Sequence, residues 1–203
     1  MQLRHLKGSL STLAALACLV APAALGAQDL HPSRRPSPMG MARIELGDAY
    51  VRIVYSRPYQ RGRDNIFGSE ESGALVPFGR PWRTGANEAT EITVTRDVAF
   101  GDAGTLPAGT YSIYSVPGPE RWSIHFNSAL GMTGTVRQDE ESGEAVDAYD
   151  PADDVLVVEA TPASLEETVD QLTISFEETE SGADMIWRWI DTEVRVPVRL
   201  AGE

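Results

Sequence analysis

The sequence predicts an all-β protein, a single antiparallel β-sandwich (jelly-roll or Ig-like) of about nine or ten short strands. Three observations lead there. Apolar and polar residues alternate with period two in run after run. Gly and Pro punctuate the runs, and nothing carries helical periodicity except a turn around Ala163 to Glu167.

Taken in order, residues 1–27 read as a secretory signal peptide. Arg4 and Lys7 precede an apolar stretch from Leu10 to Val20 that is too short to span a bilayer, so no transmembrane segment is expected after its removal. Cleavage fits after Ala27, or after Ala23. Cys18, the only cysteine, leaves with the signal, because Ala15 stands where a lipidation signal wants a leucine-like residue. Residues 28–40, rich in Pro and Ser, read as a flexible tether, and 41–203 as one domain.

Ile44 and Leu46, then Val51, Ile53 and Tyr55, mark two strands around Gly47-Asp48. Ile92 and Val94 mark a third. The runs TYSIYSVP and RWSIHFN flank Pro117-Gly118 as the clearest hairpin. Residues 155–160, 171–177, 183–190 and 193–200 complete the set, with Pro197 placing the last run at a sheet edge.

Composition excludes several functions. Removing 27 of 203 residues takes two of the 17 basic residues and none of the 30 acids, leaving a net charge of −15. Such a surface repels nucleic acid and anionic lipid. Without a cysteine the mature chain has no thiolate chemistry, and with His125 as its only folded histidine it has no multi-histidine metal site. G-x-S-x-G, P-loop, dinucleotide and H-E-x-x-H motifs are absent.

Four stretches carry candidate chemistry. Five arginines (57, 61, 63, 80 and 83) face three acids between Arg57 and Arg83, a local surplus of positive charge. Their planar forks suit a carboxylate, phosphate or sulfate, or else pin two long loops. In Leu75 to Thr90, Pro77, Gly79, Pro81 and Gly85 exclude a regular element, so Trp82, Arg83, Asn87 and Glu88 sit on ordered loop. There Gly85 would supply a positive φ, Asn87 would close the turn on backbone amides, and Trp82 would be structural or a sugar-stacking platform.

In Trp122 to Asn127, alternation turns Trp122, Ile124 and Phe126 inward and leaves Ser123, His125 and Asn127 outside. Same-face neighbours stand about 6.6–6.8 Å apart along a strand, too far for Ser123 and His125 to act alone as a nucleophile–base pair. Eight carboxylates and no base fill Asp139 to Asp154. Calcium is the minor cofactor possibility there, with Asp150, Asp153 and Asp154 the candidates, though D-x-D-x-D-G spacing is missing.

The blocks SRP (56–58), IFG (66–68), LVPFG (75–79), WRTGANEAT (82–90), LPAGTYS (106–112) and the strand from Trp122 to Asn127 resemble a bacterial secreted family, domain of unknown function 2911. The resemblance spans roughly residues 40–200. It implies export and a β-rich single domain, joins the two Arg/Gly loops into one unit, and lends no catalytic residue.

The expectation is an exported, periplasmic or extracellular, non-catalytic module. Its site for an anionic or polyhydroxylated small molecule, or a partner, would be lined by Arg57, Arg63, Trp82, Arg83, Asn87 and Glu88. The alternatives are a hydrolase of cell-envelope or polymer material using Glu88 or His125, and a purely structural envelope protein.

Overall fold

The computed structural model describes residues 34–132, 136–138 and 145–202, so the expected signal peptide and part of the expected tether lie outside the described residues. Among the described residues fourteen strands follow one another and no α-helix forms. They are β1 (Met39–Leu46), β2 (Ala49–Ser56), β3 (Phe67–Gly68), β4 (Val76–Pro77), β5 (Thr90–Val94), β6 (Val98–Phe100) and β7 (Gly104–Leu106). Then come β8 (Gly109–Val116), β9 (Trp122–Asn127), β10 (Val136–Gln138), β11 (Ala145–Asp147), β12 (Asp154–Ala160), β13 (Ala163–Thr179) and β14 (Gly182–Leu200).

One antiparallel sheet runs β1-β2-β5-β8-β9-β12 and a second runs β13-β14-β6-β7, while β10-β11 and the parallel pair β3-β4 stand apart. Neither main sheet closes on itself. Alternation dictates what each contributes inward. Val51, Ile53, Ile92, Ile113, Ile124 and Phe126 of the first sheet share one buried apolar cluster with Phe100, Leu172, Met185, Trp187, Val194 and Val196 of the second. Strands outnumber the expectation because two- and three-residue bridges form in segments read as loop, such as β3 and β4 inside the Arg/Gly stretches.

The second sheet departs from expectation at three places. Ala163 to Glu167, read as a helical turn, is strand, with register shifts that place bulges on either side of Val169. The runs 183–190 and 193–200 form one strand element that folds back at Ile190, whose φ is 58°. Arg188 bonds Glu193 and Arg195 reaches Asp184, so the two arms lie side by side. Pro197 is not on an edge strand, since β14 lies between β13 and β6. It sits one residue beyond the last ladder pair with β6, Val198 with Phe100, and its carbonyl still accepts from the Gly101 N–H.

At the other end β1 begins at Met39, two residues before the expected domain start. The residues ahead of it are bonded to the domain: Asn87 Nδ2 donates to the Ser37 carbonyl, and the Arg57 N–H donates to the Pro38 carbonyl.

Candidate functional site

The loop around Trp82 is an excursion between two bridges to the same strand. Trp82 and Ser115 exchange backbone hydrogen bonds at 2.8 Å, while Thr90 pairs with Ile113. The intervening residues stand off the sheet. They are closed by the Thr90 N–H and hydroxyl, which donate to the carbonyls of Arg83 and Thr84. Thr84 and Asn87 take the positive φ values, 55° and 58°, so the left-handed turns fall on these residues rather than on Gly85. Gly85 serves close approach instead, because a Cβ there would stand 2.8 Å from the Ser56 carbonyl oxygen. Asn87 spans outward to Ser37 and to the Ser56 hydroxyl instead of capping its own turn.

Extended backbone at the Trp82 bridge sends successive side chains to opposite faces. Trp82 goes inward, stacks on Trp189 at 5.9 Å and meets Phe67 and Trp122 edge-on. Its Nε1–H donates to the Gly85 carbonyl. Arg83 goes outward, toward the face that carries Tyr114. Beside it opens a cavity of about 550 Å³, whose wall includes Arg61, Arg63, Arg80, Arg83, Tyr114 and Tyr149.

Among the described residues the Arg83 Nε is buried without a hydrogen-bond partner, and so is the Tyr114 hydroxyl. Burial presses the Arg83 guanidinium below its ordinary value, with Tyr114 and Glu88 pulling it back up. Burial likewise pushes the Tyr114 phenol up, opposed by Arg83.

The expected site residues divide. Arg63, Trp82 and Arg83 line the cavity; Arg57, Asn87 and Glu88 do not. The Arg57 guanidinium is spent on the Leu172 carbonyl and the Thr173 hydroxyl, tying the first loop to β13. Glu88 takes Arg35 on both carboxylate oxygens at 2.6 Å. That hydrogen bond holds its carboxyl below the usual range, which is the wrong direction for a general acid. Arg61 and Arg80 of the arginine cluster join the wall too, and Tyr114 and Tyr149 join it without having been expected as site residues.

A second cluster corrects the reading of Ser123 and His125. Ser123 Oγ lies 2.7 Å from His125 Nε2, and His125 Nδ1 lies 2.7 Å from Asp154 Oδ2. The strand spacing of about 6.7 Å applies to backbone positions. The imidazole lies along the strand and bridges that gap, anchored at its far end by Asp154. A register shift just after Asp154, which pairs with Asn127, leaves its carboxylate on the histidine's face.

Asn127 Nδ2 donates to Asp154 Oδ1, and the Tyr149 hydroxyl donates to Oδ2 at 2.6 Å. Burial first, and then that bond to Asp154, push the Tyr149 phenol far up, so it remains a donor. Since an ionised Asp154 only accepts, the ring proton belongs on Nδ1, leaving the Nε2 lone pair to the Ser123 hydroxyl. Tyr149 also lines the cavity, and its ring packs 5.4 Å from His125 and 5.0 Å from Tyr114.

Asp150, Asp153 and Asp154 do not gather as cation ligands: among the described residues no three His, Cys, Asp or Glu side chains are placed to hold a metal ion. Asp150 accepts from the Ala152 N–H, capping a short turn, and Asp154 belongs to the histidine. Much of the acidic stretch, residues 139–144, lies outside the described residues. No helix among the described residues is long and apolar enough to cross a membrane.

No curated protein and no solved structure matches the chain. One family does, over residues 37–198, a span that contains both Arg/Gly loops, the cavity wall and the Ser123–His125–Asp154 cluster. The chain belongs to the family described as protein of unknown function DUF2911.

Proposed function

We propose that this chain is an exported binding module, a single β-sandwich whose Arg/Gly loops take a small anionic or polyhydroxylated molecule. The observation that carries the reading is the buried Arg83 Nε on the cavity wall with no acceptor among the described residues. A buried donor left unmade costs about 1–3 kcal/mol. A carboxylate, phosphate or sulfate oxygen would satisfy that donor and the charge together. Arg61 and Arg63 on the same wall add positive field that draws anions into an otherwise acidic protein, while Arg80 is paired with Glu70 at 3.1 Å. A structural role for Arg83 would have every donor bonded to protein, as Arg57 largely has.

The test is thermal unfolding of purified protein against inorganic phosphate, sulfate, citrate and neutral sugars. A ligand at 100 times its Kd stabilises by about 2.7 kcal/mol. The expected outcome is a rise of Tm with at least one of the anions, absent in a folded Arg83→Met variant. A rise of equal size in that variant removes Arg83 from the site, and no rise with any of these compounds counts against the reading.

A further inference from the structure

We propose that Ser123, His125 and Asp154 form a nucleophile–base–orienter relay that hydrolyses carboxylic esters at the border of the cavity. This departs from the expectation of a non-catalytic module. The relay meets the geometric requirement of such chemistry: both bonds are 2.7 Å, inside the roughly 2.6–3.2 Å over which a base takes a hydroxyl proton and is itself oriented. The three side chains come from one face of β9 and from the start of β12, so the placement rests on sheet geometry and not on a mobile loop.

Anchoring the acidic segment to the sheet accounts for part of this cluster but not for all of it. Asn127 and Tyr149 already bind Asp154 to its surroundings. Ser123 adds nothing to that anchoring, because among the described residues its hydroxyl bonds only His125 Nε2. Ser123 and His125 are both partly exposed, so the hydroxyl is not sealed in the core. Ser123, His125 and Asp154 do not themselves line the cavity; Tyr149, which bonds Asp154 and forms part of the wall, is the link between the relay and that space. Tyr114 stands directly opposite His125 in the β8–β9 ladder, and its buried hydroxyl has no partner among the described residues.

The chemistry balances with water as the only co-reactant. Ser123 Oγ bonds to the ester carbonyl carbon as its proton passes to His125 Nε2. The carbonyl–alkoxy bond then breaks, and the leaving alkoxide takes that proton. Water attacks the acyl-serine, giving one proton to Nε2. The Ser123–acyl bond breaks, the acid departs and Oγ recovers its proton. Asp154 holds the imidazole tautomer; Tyr149 is a positioning residue. Seating an ester's acid portion against Arg83 rests on the binding reading above, whereas the relay itself does not.

The experiment exposes the purified protein to a neutral alkyl fluorophosphonate, maps the adduct by peptide mass spectrometry, and follows hydrolysis of p-nitrophenyl acetate. The expected results are a single phosphonyl adduct on Ser123, turnover lowered at least ~100-fold in Ser123→Ala, and labelling slowed in Asp154→Asn. Ser123→Ala deletes one oxygen with one partner, and an unchanged Tm will show that it folds. Folded wild-type protein that gives no adduct on Ser123, or Ser123→Ala that hydrolyses the ester as fast as wild type, overturns the proposal. The neutral probe reads the relay alone and the phosphate-dependent Tm reads the cavity alone, so the two readings fail separately.

Discussion

Replacing Arg83 by methionine should raise the stability of the ligand-free protein, the reverse of what deleting a structural arginine does. Methionine keeps much of the arginine's apolar stem and removes the buried, partnerless Nε. Relief of an unsatisfied buried donor amounts to about 1–3 kcal/mol, and for a side chain only partly buried the lower end, about 1 kcal/mol, applies. Glu88 loses little, because Arg35 already occupies both of its oxygens. For a domain of this size about 1 kcal/mol moves Tm by roughly 2–4 °C. The assay is a urea titration beside a thermal melt, with an unchanged m-value showing that the native state keeps its compactness. In saturating phosphate the order should invert, since only wild type gains the roughly 2.7 kcal/mol available at 100 times Kd. A fall of Tm by more than about 4 °C in the ligand-free variant, at constant m, would mean that Arg83 holds the loops together, and the reasoning would be wrong.

Two further outcomes follow from the same geometry. Gly85→Ala should lower Tm, because its Cβ meets the Ser56 carbonyl at 2.8 Å and forces the loop off β2, a strain of about 1–3 kcal/mol; an unchanged melt would show that the loop yields freely. On the hairpin of β13 and β14, hydrogen bonds from Arg195 and then Arg188 hold the Glu193 carboxyl below its ordinary value of 4.5. A depressed folded-state pKa contributes stability that is complete above the unfolded value and is lost as pH falls through the folded one. Tm should therefore drop as pH is lowered from about 5 to 3, and Glu193→Gln should flatten that drop relative to wild type.

The sequence by itself determined the all-β class with antiparallel sheets, most strand positions and the family. Period-two alternation and Gly/Pro punctuation depend only on neighbours along the chain, which is why Trp122, Ile124 and Phe126 were legible as inward and Ser123 and His125 as outward. It also marked the Arg/Gly loops, and within them Arg63, Trp82 and Arg83, which do line a cavity. Only tertiary structure decided how those residues are used. Arg57 and Glu88 were indistinguishable in sequence from Arg83, yet Leu172 and Thr173, more than a hundred positions away, consume the one, and Arg35 the other.

The Ser123–His125–Asp154 cluster was invisible for a related reason. Its third member is 29 residues from the histidine, on a strand whose pairing brings Asp154 opposite Asn127. The two-residue spacing of Ser123 and His125 looked prohibitive until the orientation of the imidazole was known. Alternation along a strand says which face a side chain takes. Pairing between distant strands, and the direction in which a ring lies on that face, determine what it touches.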